Sequence, residues 1–139
     1  MKDDYFLYGY PGSYELQIFD PEGKITKKIT REYEHVPFSA EEKEEEKKAY
    51  GKDHDIPPYH PAFSYLRTDG EGRIFVRTWE KPTGGEGFFY DVFDSEGKYI
   101  VRMPLNFTPQ VIKNGKIYTI EEDEEGYQNV KRYEIRWKY

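Results

Sequence analysis

The chain is 139 residues long and acidic, with 27 Asp and Glu against 21 Lys and Arg, a formal charge of −6 and a mean hydropathy of −1.00. That balance disfavours nucleic acid and anionic membranes as partners, because neither would meet a net basic field. The absence of cysteine excludes disulfides and thiolate metal sites, and an aromatic content of 18% argues for strands with one aromatic face rather than for disorder.

Residues 5–10 read as a first strand, ended by the turn pair Pro11-Gly12. Residues 14–20 alternate, with Tyr14, Leu16 and Ile18 on one face and Glu15 and Gln17 on the other. Asp20-Pro21-Glu22-Gly23 suits a type I turn, and residues 25–30 make a third strand with Ile25 and Ile29 inward and the lysines outward. The composition then changes. Ser39-Ala40-Glu41-Glu42 is a capping box that opens a helix over residues 40–50, ended by Gly51; its charged surface predicts a solvated helix. A proline-rich connector closes the stretch 31–61, which reads as an insertion. Strands over 62–68, 73–80, 88–94 and 98–105 form a four-stranded meander, with a flexible loop at 82–87. Strands over 108–112, 116–121 and 130–138 follow, the first two joined by the hairpin signal Asn114-Gly115 and the last two by an acidic loop.

One phrase recurs beside these strands: Asp, two residues, Gly, then a base. It occurs at Asp20-Pro21-Glu22-Gly23-Lys24, Asp69-Gly70-Glu71-Gly72-Arg73 and Asp94-Ser95-Glu96-Gly97-Lys98. Aligning Gly72-Arg73-Ile74-Phe75-Val76 with Gly115-Lys116-Ile117-Tyr118-Thr119 gives a period of about 43 residues, the length expected of a four-stranded propeller blade.

With Ile18-Phe19 before the first turn, Val92-Phe93 before the third and Asn114-Gly115-Lys116-Ile117-Tyr118 later in the chain, these motifs resemble the bacterial six-bladed β-propellers of the NHL-like type, particularly their C-terminal blades. The resemblance implies an all-β fold of antiparallel four-stranded β-propeller blades. About two and a half blades span residues 1–139 as a partial propeller, in units 3–30, 62–105 and 108–139 with the short helical insertion at 31–61. An open arc of this kind leaves unpaired edges. It belongs either to a longer chain or to a homodimer in which two copies complete a ring. No signal peptide or membrane span is read in the sequence, and the resemblance allows an exported parent protein.

Four groups of residues are candidates for chemistry. Asp20, Asp69 and Asp94 could ligate calcium but fit better as acceptors for turn N–H groups. Asp53, His54, Asp55 and His60, with His35 nearby, are weak candidates for a zinc or other divalent site, since their spacing matches no metal motif. The acidic run at 121–125 reads as a solvated hairpin loop before it reads as a cation site. Trp79, Tyr90 and Tyr127 stand out among the surplus aromatics as ligand- or partner-binding residues. There is no G-x-S-x-G elbow, P-loop or dinucleotide fingerprint.

The sequence therefore points to a non-enzymatic binding or scaffolding module without a cofactor. It would meet a protein partner, or a second copy of itself, through open blade edges. The alternatives are a saccharide- or small-ligand-binding propeller using Trp79 and Tyr90, and a metal-dependent propeller hydrolase.

Overall fold

Alternation in the sequence becomes ten strands in the computed structural model of the chain, which describes residues 2–137. Each of its three antiparallel sheets is a simple meander. The first holds β1 (Phe6–Tyr10), β2 (Glu15–Phe19) and β3 (Ile25–Thr30). The second holds β4 (Tyr65–Thr68), β5 (Ile74–Arg77), β6 (Phe88–Phe93) and β7 (Tyr99–Leu105), and the third β8 (Val111–Lys113), β9 (Lys116–Glu122) and β10 (Gln128–Glu134). The helix α1 (Ala40–Tyr50) lies between the first two sheets in sequence, and both halves of its capping box form between Ser39 and Glu42. The chain is thus mostly β, as expected, with sheets of three, four and three strands.

The period-2 pattern of the middle sheet feeds two cores. Ile74, Val76 and Phe93 point to one side, where they pack with Leu16, Ile18, Ile29 and Phe63 from the first sheet and its flanks. Phe75, Tyr90 and Val92 point to the other side and pack with Ile112 and Ile117 of the third sheet. The middle sheet is therefore covered on both faces, which explains why β5 and β6 read as nearly continuous apolar runs. Along one edge β4 and β8 approach each other, and the Tyr65 hydroxyl donates to the Pro109 carbonyl at 2.6 Å.

Some expectations change. Ile25 is 47% exposed while Ile29 is buried, although four residues apart they would share a face in a regular strand. The cause is a β-bulge: Ile18 pairs with Lys27 but Phe19 pairs with Ile25, so one residue of β3 is skipped and its neighbours change sides. The same irregularity recurs in the middle sheet, where Val92 pairs with Val101 and Phe93 with Tyr99. The strand expected at 62–68 begins at Tyr65, because Ala62 and Phe63 are drawn into the first core ahead of the ladder. The strand expected at 130–138 runs Gln128–Glu134; beyond it the Ile135 N–H turns to the Gly115 carbonyl at 2.8 Å, and Ile135 and Trp137 pack on the second core. Residue 138 lies outside the described residues.

The repeated turn proves to have a fourth copy. In the three recognised copies one carboxylate oxygen, of Asp20, Asp69 or Asp94, accepts two backbone N–H groups, two and four residues on, at 2.9–3.0 Å. Asp123 does the same with the N–H groups of Glu125 and Tyr127, and Gly126 takes a φ of 88°, matching Gly23, Gly72 and Gly97 at 84–90°. The positive φ explains the glycine. The acidic run is thus a turn whose base has been replaced by Tyr127. The Tyr127 N–H, chief among its donors, holds the Asp123 carboxyl below the usual carboxylate range.

Candidate functional site

Two stretches of connector, before and after α1, close on each other beside the middle sheet. Pro37 and Tyr59 form an isolated antiparallel bridge, and the His60 N–H donates to the Val36 carbonyl at 2.8 Å. This places the His60 ring, 6% exposed, between two aromatic planes: Phe38 at a centroid distance of 3.8 Å and Trp79 at 3.9 Å, the latter inclined by only 11°. His60 Nε2 lies 2.8 Å from Glu42 Oε2. One turn further along the helix, His54 Nε2 lies 3.2 Å from Glu46 Oε2. Glu42 and Glu46 are four residues apart and so share a face. The helix buries none of its own residues, and these two contacts fasten it to the connector.

A cleft of about 490 Å³ opens between α1 and the middle sheet, lined by Pro37, Glu42, His60, Trp79, Glu80 and Phe89. Behind it Glu80 pairs with Arg102 Nη1. Arg102 also grips Asp91, with Nε on Oδ1 at 2.8 Å and Nη2 on Oδ2 at 3.2 Å. The Tyr14 hydroxyl donates to Asp91 Oδ2 at 2.8 Å, and Arg31 Nε lies 3.6 Å from the same oxygen while its guanidinium covers the Tyr99 ring. Asp91 is fully buried, with cations and a phenol arriving from the flanks of β2 and β3 as well as from β7. Burial pushes the Asp91 carboxyl up, opposed by Tyr14, Arg31 and Tyr99; burial and then Asp91 push the Tyr14 phenol up. Burial likewise lowers the Arg102 guanidinium, and the neighbouring charge of Arg31 adds to it.

Glu42 responds differently. Partial burial pushes its carboxyl upward, but the Ser39 N–H and the His60 ring outweigh that and hold it below the ordinary value of 4.5. A lowered folded value means that ionised Glu42 contributes stability above its unfolded value, and that the contribution is lost as pH falls through the folded one. Acidification below 4.5 will therefore loosen the helix end and change Trp79 emission. In Glu42→Gln this acid transition should vanish, while the helix start is kept at neutral pH because glutamine also closes a capping box on Ser39. An unaltered acid transition in the fluorescence of that variant would show that another group controls the attachment.

The residues singled out in the sequence scatter around this cleft. Trp79 and His60 line it, whereas His54 pairs with the helix and Asp53 and Asp55 are exposed. Among the described residues no group of three or more His, Asp or Glu converges to hold a metal. Tyr90, 1% exposed, belongs to the second core, where burial pushes its phenol up to about 12. Tyr127 is 67% exposed in the fourth turn. Neither lines the cleft. Asp91, Arg102 and Glu80 were not singled out, and Glu42 only as part of the capping box. The available signal was the lone charge in the apolar run Phe88-Phe89-Tyr90-Asp91-Val92-Phe93, since a carboxylate in a strand buried on both faces requires partners.

The cleft holds two carboxylates, each paired with an arginine or a histidine, and an aromatic stack. Such an arrangement fixes the helix and connector on the middle sheet and can receive a small polar group at its mouth. Compared with known proteins, the chain matches no family model and none of the curated proteins.

Proposed function

We propose that the chain is a non-enzymatic binding and scaffolding module built of propeller-like blades, and that a second copy covers its outer faces to approximate a ring. The observation that carries this reading is the unequal covering of the three sheets. The middle sheet is packed on both faces, whereas the flanking sheets each bury one. On the outside of the first sheet Phe6, Tyr8 and Tyr10 are 52–62% exposed along β1; on the outside of the third, Val111, Ile120 and Val130 are 52–74% exposed. Apolar rows of this kind mark association surfaces.

Strand phase supports the same reading. The shared bulge equates the hairpin β2–β3 with β6–β7, and the repeated sequence equates β9 with β5. On a four-strand pattern the first sheet then supplies strands two to four and the third supplies strands one to three. The approach of β4 to β8 along one edge fits sheets radiating from an axis.

Light scattering of the purified chain at micromolar concentration should give twice the 16.7 kDa mass. The double substitution Ile120→Lys and Val130→Lys on the outer face of the third sheet should return it to a folded monomer, because two buried ammonium groups would face an apolar surface. A wild-type chain that stays monomeric overturns the proposal.

A further inference from the structure

Three half-buried arginines, Arg31, Arg73 and Arg102, each sit on a carboxylate. Two others do not. Arg67 on β4 and Arg77 on β5 lie on the face of the middle sheet that looks toward the third sheet, with Tyr65 paired opposite Arg77 and Phe75 opposite Arg67. Among the described residues neither has an acidic side chain within ion-pair distance, and the Nε of each is buried without a hydrogen-bond partner. Their guanidinium groups lie over aromatic rings, Arg67 at 4.2 Å from the Tyr65 centroid and Arg77 at 4.3 Å from that of Phe88.

A guanidinium over a ring directs its donors along its own plane, the geometry that grips a carboxylate or phosphate two-pronged; Arg67 spends one on the Tyr65 hydroxyl, whereas Arg77 faces a cleft. In a chain with an excess of acids, two adjacent arginines without a carboxylate are costly to keep, since a partly buried charge needs a counter-charge. The two charges act on a common neighbourhood: both pull on the Tyr65 and Tyr90 phenols, against the burial that raises them. A cleft of about 160 Å³ opens at Arg77, walled by Phe88, Tyr90, Asn106, Phe107 and Thr108. It has room for a compact group rather than a polymer, and Asn106 and Thr108 bring further polar atoms to its rim.

We propose that this cleft is an anion site, in which Arg77, backed by the charge of Arg67, takes a compact oxyanion, a phosphate or carboxylate group. Nothing in this assignment depends on how copies of the chain associate.

Calorimetric titration of the intact chain tests it, with inorganic phosphate and malonate as separate probes at constant ionic strength and chloride as the baseline. At least one probe should bind saturably with one site per chain; which one does so tells phosphate from carboxylate. Arg77→Gln and Arg67→Gln should each weaken that binding by about tenfold or more, the scale of a lost charge-assisted pair. Should Arg77→Gln fail to fold, Arg77→Lys keeps the charge but removes the planar fork, and the same weakening is expected. The proposal is overturned if neither probe binds beyond the chloride baseline, or if affinity is unchanged in the Arg67→Gln variant or in the folded Arg77 variant.

Discussion

Replacing Asp91 with alanine will cost about 3–5 kcal/mol of unfolding free energy, the scale for breaking a buried ion pair from one side. Asp91 is fully enclosed, and its two oxygens serve the Tyr14 hydroxyl, Arg102 and Arg31. Tyr14 immediately precedes β2, Arg31 immediately follows β3, and Arg102 belongs to β7. The carboxylate therefore rivets the first sheet to the second. Its removal takes the counter-charge from the half-buried Arg31, leaves Arg102 with Glu80 alone, and leaves the buried Tyr14 hydroxyl without its acceptor. Tyr14→Phe removes one donor to the carboxylate and should cost about 1.5–3 kcal/mol, leaving the Asp91–Arg102 pair in place. Urea unfolding of the two variants separates these magnitudes. If Asp91→Ala costs no more than Tyr14→Phe, the network does not hold the sheets together.

Phe75→Ala is expected to remove a further 3–5 kcal/mol or so, from transfer of the ring and from the cavity it leaves. Phe75 is fully buried in the second core, and its ring lies 6.1 Å from that of Trp137. The loss should fall unevenly. Hydrogen exchange will accelerate most at the amides of β8, β9 and β10, whose sheet meets the rest through this core, while β1, β2 and β3 keep their protection. Uniform acceleration over all three sheets would show instead that the stack opens as one unit.

The strands were legible in the sequence because alternation survives in a meander, where each face is set by the pleat. Residues 14–19 illustrate this, with Tyr14, Leu16 and Ile18 buried together as their spacing required. Ile25 was misplaced because a bulge leaves no mark in the apolar pattern; it recurs beside the Asp94 turn, at Tyr99, but the ladders at the Asp69 and Asp123 turns run on without it, so the turn motif does not announce it. The fourth Asp turn was hidden by a single change, Tyr127 where the other copies carry a base. Backbone N–H groups, not the basic side chain, define the turn, so the substitution is structurally silent.

The candidate site was less legible. His60 and Trp79 could be named, but their stacking depends on a bridge between Pro37 and Tyr59 that no local pattern encodes. The charged helix reads as mostly solvated, and none of its residues is buried; what the sequence did not expose is that Glu42 and Glu46 meet histidines from the connector. Arg67 and Arg77 look like ordinary polar positions on alternating strands. Only the fold shows that their face is turned toward another sheet.

Every strand pairs only with its neighbours along the chain, so each sheet is drawn from one uninterrupted stretch of polypeptide. Chain can therefore be added or removed at the two junctions between sheets without rethreading a ladder. The stretch 31–61 sits at one of these junctions and has used that freedom, carrying a helix that breaks no strand pairing. Lengthening such a connection costs only loop-closure entropy, about 0.6 kcal/mol for each doubling. The architecture is in that sense extensible: its length is set by how many sheets are strung together, and its variety by what is tied in between them.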